Sequence, residues 1–112
     1  MPRLVGRGRA LKLILSGEIV DAAEAYRIGL VDELEPDAHV IERSETVMKK
    51  IIANAPLSLK YALEAINKGL ETSLAEGLLI EASLFAVCAS TEDKKEGTSA
   101  FLEKRAPKFQ GK

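Results

Sequence analysis

Ser73 and Glu76 stand three residues apart at the head of "LAEGLLIEASLFAVCAS", Leu74 to Ser90. An S-x-x-E box of this kind starts a helix, because each side chain caps the other residue's main-chain N–H. The helix it starts is apolar on almost every face, so it needs burial on several sides at once. A chain of 112 residues builds only a thin core of its own. The spacing therefore implies a partner subunit or another domain over this helix. Hydrophobic residues make up 46% of the chain but aromatic ones only 4%, so the packing must come from Leu, Ile, Val and Ala, which suits a mainly α fold.

The other helices announce themselves in the same local way. Leu4, Val5, Ala10, Leu11, Ile14 and Leu15 give a partly helical period, which Gly17 is placed to end in a left-handed turn. "DAAEAYRIG" opens on Asp21 with Glu24 three residues on and closes at Gly29. At most one short strand fits, near Leu30–Leu34, before Pro36 breaks it. From Asp37, the residues Val40, Ile41, Ser44, Val47, Met48, Ile51 and Ile52 form one stripe, with Glu42, Arg43, Glu45 and Lys49 facing away. Pro56 starts a further helix with Leu59, Leu63, Ile66 and Leu70 inward and Gly69 near its end. Thr91 caps a last helix, ahead of Glu92 and Asp93, that Pro107 stops. The organisation divides at Pro36: residues 1–36 hold two short helices and an extended segment, and residues 37–112 the long helices.

Sixteen basic and seventeen acidic side chains nearly cancel, which argues against a global attraction to nucleic acid or anionic membrane. Cys88 is the single cysteine, so no internal disulfide forms and a reducing compartment is expected. The apolar run in "MPRLVGRGRALKLILSG" is too short to span a bilayer and lacks a small-residue cleavage site, which points to the cytoplasm.

Several residues carry chemistry worth weighing. Gly6 and Gly8 resemble the start of a dinucleotide loop, but the third glycine and the preceding strand are missing. Arg3, Arg7, Arg9 and Lys12 cluster without interleaved aromatics, as a solvated helix face does. His39 has no evident acid or nucleophile beside it and belongs on the surface. Cys88 and Met48 fit packing roles. Glu81 shares a stripe with Leu74, Leu78, Phe85 and Cys88, which makes it either an acid with a shifted pKa or, the simpler reading, a buried ion pair or helix-cap contact to another segment. Gly97, Phe101 and Lys104 are spaced to share one helical face. Such a face could hold a flat ring on Phe101 and an anion at Lys104. Alternatively Phe101 anchors the helix, while Lys104 and Arg105 complement its dipole, and by chemistry alone that is the simpler account.

"PRLVGRGRALKLILSGEIVDAAEAYRIGLVDELEP", "AP" at Ala55 and Pro56, "LAEGLLIEASLF" and "TEDKKEGTSAFLEKRAPKF" together resemble the C-terminal part of the enoyl-CoA hydratase/isomerase (crotonase) family. The resemblance runs in order along nearly the whole chain. It implies a helical region that follows a spiral core of ββα units, with residues 1–36 the end of that core and residues 37–112 the oligomerisation region. The CoA-thioester pocket, the two oxyanion N–H donors and the catalytic acids of the family lie upstream of the segment matching Pro2. No catalytic residue or metal ligand is carried over, and Glu18, Glu24 and Glu81 do not match the family's acids, so the chain by itself is expected to be inactive although the family is enzymatic. The resemblance further implies packing into a trimer or hexamer, a coenzyme A thioester as substrate, and an aromatic and a lysine of the last helix near the adenine and ribose-phosphate. Those two match Phe101 and Lys104, which turns the balance toward the cofactor reading. The rival is a self-standing helical interaction module that does not bind CoA.

Overall fold

The computed structural model describes all 112 residues and contains helices and no strand. Contacts divide it into two compact units, Met1–Ser44 and Glu45–Lys112.

The first unit holds α1 (Pro2–Val5), α2 (Arg7–Ser16), α3 (Ala22–Arg27), a 3₁₀ turn (Asp37–His39) and the start of α4 (Val40–Ile52). Gly6, at φ 80, breaks the chain between α1 and α2, and Gly17, at φ 65, closes α2 with its N–H on the Leu13 carbonyl. Asp21 caps α3 by accepting the Glu24 N–H at 2.7 Å. Val5, Ala10 and Ile28 form a small core with Leu13 and Leu30 against it. Only Val5 and Ala10 of the expected apolar stripe are buried; Leu4, Leu11, Ile14 and Leu15 are exposed. Residues 30–34 form a bend and an irregular stretch instead of a strand. The Leu30 N–H is taken by the Ala25 carbonyl in the turn that ends α3, and a strand alone would leave its ladder groups unpaired. Arg43 clamps Glu33 through two 2.7 Å hydrogen bonds and tethers α4 to this stretch.

The second unit contains the rest of α4, then α5 (Pro56–Gly69), α6 (Leu74–Ala89) and α7 (Glu92–Leu102). Pro56 opens α5, where its missing N–H costs nothing. The expected capping box forms in full at Ser73 and Glu76, and Thr91 caps α7 through the Lys94 N–H at 3.1 Å. α5 and α6 pack as a hairpin whose backbones approach closely at Gly69 and Gly77; a β-carbon on Gly77 would sit 3.4 Å from the Gly69 α-carbon. No helix is long and apolar enough to cross a membrane by itself.

Burial departs most from the sequence expectations. No large side chain is fully buried anywhere. Leu63 and Ile66 of α5, Leu70 at its C-cap and Met48 of α4 are exposed, although their spacing placed them inward. The chain exposes 8866 Å², where a folded monomer of its mass exposes about 6,000 Å². The stripes lie on the helices as spaced, but this chain alone does not cover them.

One element folds back without any helical period. The segment after α7 returns along it, and Asp93, only 3% exposed, accepts the Gln110 N–H at 2.6 Å and the Gly111 N–H at 2.7 Å. Glu96 accepts the Lys108 N–H at 2.7 Å and pairs with both terminal nitrogens of Arg105. The Arg105 guanidinium, and after it the Lys108 N–H, hold the Glu96 carboxyl down at about 2, against about 4.5 ordinarily. A depressed carboxyl stabilises the folded form above its unfolded pKa and loses that contribution as pH falls through the folded value. Amide exchange at Lys108 should therefore be slow above about pH 4.5 and lose protection on descent toward pH 2. Protection unchanged down to pH 2 would show that Glu96 does not hold the tail.

Candidate functional site

α5, α6 and α7 enclose an open apolar groove of about 1110 Å³ within the second unit. Ile66 of α5 and Leu70 just after it, Leu74, Leu78 and Phe85 of α6, and Phe101 of α7 line it. All six are more than half exposed, Leu74 at 80%, Phe85 at 73% and Phe101 at 83%. Bare apolar surfaces of this extent are characteristic of interaction sites and ligand grooves.

Two carboxylates line the groove, Asp93 and Glu81. Both Asp93 oxygens are committed to the returning tail. Glu81 is exposed and makes no ion pair, so the expected buried pair does not form within this chain. Its stripe assignment holds, since Leu74, Leu78, Phe85 and Cys88 line the groove beside it. Cys88 is half-buried there.

Of the three residues that spacing aligned on α7, the structure keeps Gly97 and Phe101 on the groove face and takes Lys104 off the helix. Phe101 lies in the last turn and faces the groove. Gly97 also faces the groove, but its open side is filled by the chain's own Phe109, whose ring would stand 3.3 Å from a β-carbon there. Lys104 lies beyond the helix, which ends at Leu102 and is capped by Glu103. It adopts φ 54, so the i, i+7 spacing no longer describes where it points. The sequence had no glycine to mark this turn, and Pro107 suggested a later stop.

Arg105 is drawn away from a simple dipole role: besides Glu96 it binds Glu103 through Nε at 2.6 Å. Lys94 was not among the sequence candidates, yet it shares the groove-lining face of α7 with Thr98 and Phe101. The i, i+4, i+7 pattern through these three would have found it.

The remaining candidates are apart from the groove. His39 is exposed, 3.7 Å from Glu42 on the next turn. Lys12 of the basic cluster reaches Glu18 at 3.3 Å. Gly6 separates two helices, so no strand-to-helix phosphate loop exists there.

Comparison with known proteins gives this arrangement its family. The sequence matches the enoyl-CoA hydratase/isomerase family over residues 1–112. It is 40% identical over 110 residues to the 2,3-dehydroadipyl-CoA hydratase of Escherichia coli, covering 98% of this chain and 43% of that protein. It is 38% identical over 105 residues to the short-chain-enoyl-CoA hydratase of Clostridium acetobutylicum, with 94% of this chain and 40% of the relative covered. The crystal structure of an enoyl-CoA hydratase from Bacillus anthracis superposes with a TM-score of 0.97 at 38% identity, over 99% of this chain and 43% of that one. The chain thus spans less than half the length of these relatives and matches their C-terminal part. With every residue inside the family match and the fold reproduced at this level, the chain belongs to the enoyl-CoA hydratase/isomerase family.

Proposed function

We propose that the chain is the C-terminal helical part of an enzyme acting on acyl-CoA thioesters, and that it serves assembly and the nucleotide end of coenzyme A rather than the acyl chemistry. The bare apolar groove between α5, α6 and α7 carries this reading, because a surface of Leu, Ile and Phe side chains suits docking, not bond-making. In the proposed assembly the α5–α7 surface packs against the rest of the enzyme and against neighbouring subunits, in a trimer or hexamer. Phe101 offers a ring face for adenine, and Lys104 offers a cation to the ribose-phosphate end. Both are exposed, and the Lys104 ammonium makes no ion pair. A nucleotide can be held this way at a surface, by stacking and charge, while binding made there orients the distant acyl carbon. Such an assembly is proposed to work in the cytoplasm and in fatty acid metabolism, on a thioester of the kind for which the Clostridium relative is named, a short-chain enoyl-CoA.

The test compares two ligands in the complete enzyme carrying this chain. Phe101→Ala and Lys104→Ala should each weaken coenzyme A thioester binding by roughly 1–3 kcal/mol. A short pantetheine thioester, which lacks the nucleotide, should bind all three proteins alike. Turnover at saturation should change much less than affinity. Lys104→Ala should also flatten the salt dependence, since a phosphate contact is screened by ions. Equal losses for both ligands would mean that the helix only supports an interface, as in the self-standing module.

A further inference from the structure

α3 and α7 end in the same hydrogen-bonded turn, and the residue at its left-handed position differs. In α3 that residue is Gly29, at φ 75; its N–H reaches the Tyr26 carbonyl at 3.0 Å, and the Leu30 N–H reaches Ala25 at 2.9 Å. In α7 it is Lys104, at φ 54; its N–H reaches the Phe101 carbonyl at 3.3 Å, and the Arg105 N–H reaches Ala100 at 3.0 Å. Lys104 is the one residue other than glycine at positive φ in the chain. Its β-carbon carries a steric cost there that glycine avoids, so the turn needs support from elsewhere. Such outliers gather where a side chain must be aimed at a ligand.

Arg105 and Glu96 supply that support. Arg105, immediately after Lys104, forks onto both Glu96 oxygens at 2.6 and 3.0 Å and reaches Glu103, immediately before Lys104, at 2.6 Å. Glu96 also accepts the Lys108 N–H, so the chain beyond the turn is tied to the middle of α7. The Arg105 guanidinium, with two carboxylates on it, is poorly placed to take a phosphate. The Lys104 ammonium is the free cation of the pair.

We propose that Glu96 and Arg105 are positioning residues: pinning both flanks of the left-handed turn, they hold the Lys104 ammonium toward the anionic nucleotide end of coenzyme A. This rests on the nucleotide-end reading of Lys104 given above. The division of labour is that Arg105 builds the turn and Lys104 meets the ligand.

The test is a double-mutant cycle on coenzyme A affinity in the complete enzyme, with Glu96→Gln and with Lys104→Gly, a change the turn accommodates without strain. Each single variant should weaken coenzyme A about tenfold, and the double variant no further than Lys104→Gly alone. Pantetheine thioester affinity should stay unchanged, and amide exchange at Arg105 and Lys108 should quicken in Glu96→Gln. If Lys104→Gly weakens coenzyme A while Glu96→Gln does not, or if the two losses simply add, the positioning role is overturned and the nucleotide-end reading stands. If Lys104→Gly leaves coenzyme A affinity unchanged, the nucleotide-end reading falls and the positioning role with it.

Discussion

In sedimentation equilibrium at micromolar concentration, the 112-residue chain should run as an oligomer larger than a dimer, and Phe85→Glu should shift it toward monomer with at least a tenfold weaker association. The size of the effect follows from the exposed area. The chain presents 8866 Å², about 2,800 Å² more than a folded monomer of its mass. A standard interface hides about 800 Å² on each partner, so one two-fold contact leaves most of the excess bare. Phe85 is a strong probe because it is 73% exposed and lines the groove together with Leu78, Leu84 and Cys88. A charge there in an occupied groove would be desolvated without a partner. Glu81 sharpens the test. It is unpaired in the chain alone, so covering the groove obliges it to find a cation or a proton. If it finds a cation on the partner, Glu81→Gln should weaken association and Glu81→Leu should weaken it less, since packing can replace an ion pair. A cooperative monomer at these concentrations, indifferent to Phe85→Glu, would sink the assembly role.

The same residues show which parts of the fold a sequence reader can see. The starts of α3, α6 and α7 are fixed by side chains that cap an N–H three residues away, at Asp21, Ser73 and Thr91, and each forms as spaced. Those contacts are local, so residue type and spacing contain them. The apolar stripes of α5 and α6 are equally visible, but their burial is not, because spacing gives a face and not what packs on it; Leu63 and Ile66 have the right spacing and are exposed in this chain. The end of α7 was harder. Its turn is closed by Lys104, where glycine would have been the signal, and the helix stops at Leu102, well before Pro107. The returning tail was invisible, since Asp93 reaches its partners across 17 and 18 residues and Phe109 covers Gly97 without any repeating pattern. Thus the two candidate ligand-binding residues could be named while the frame that orients one of them could not.

The purified 112-residue chain should show no hydration of crotonyl-CoA above the uncatalysed background, a loss of at least about a millionfold against an ordinary enzyme. The chemistry proposed for the whole protein asks for two acids, to handle a proton and a water, and for N–H donors aimed at a thioester oxyanion. The groove offers less. Asp93 spends both oxygens on Gln110 and Gly111, leaving Glu81 as the one uncommitted carboxylate among apolar walls. A single carboxylate without a second acid or an oxyanion hole can orient or repel a ligand, but it cannot supply both proton transfers and stabilise an enolate. Binding of the nucleotide at Phe101 and Lys104 would not repair this, because affinity far from the reacting carbon accelerates nothing unless catalytic groups wait at the other end. The decisive assay follows the ultraviolet absorbance of the conjugated thioester of crotonyl-CoA, using protein that has passed through gel filtration and beside its Glu81→Gln variant. Turnover that co-elutes with the chain and disappears in Glu81→Gln would place a working acid in the groove and overturn the division between assembly and chemistry. Turnover that persists unchanged in the variant belongs to a contaminant, and background rates in both leave the acyl chemistry to the part of the enzyme that the α5–α7 surface is proposed to meet.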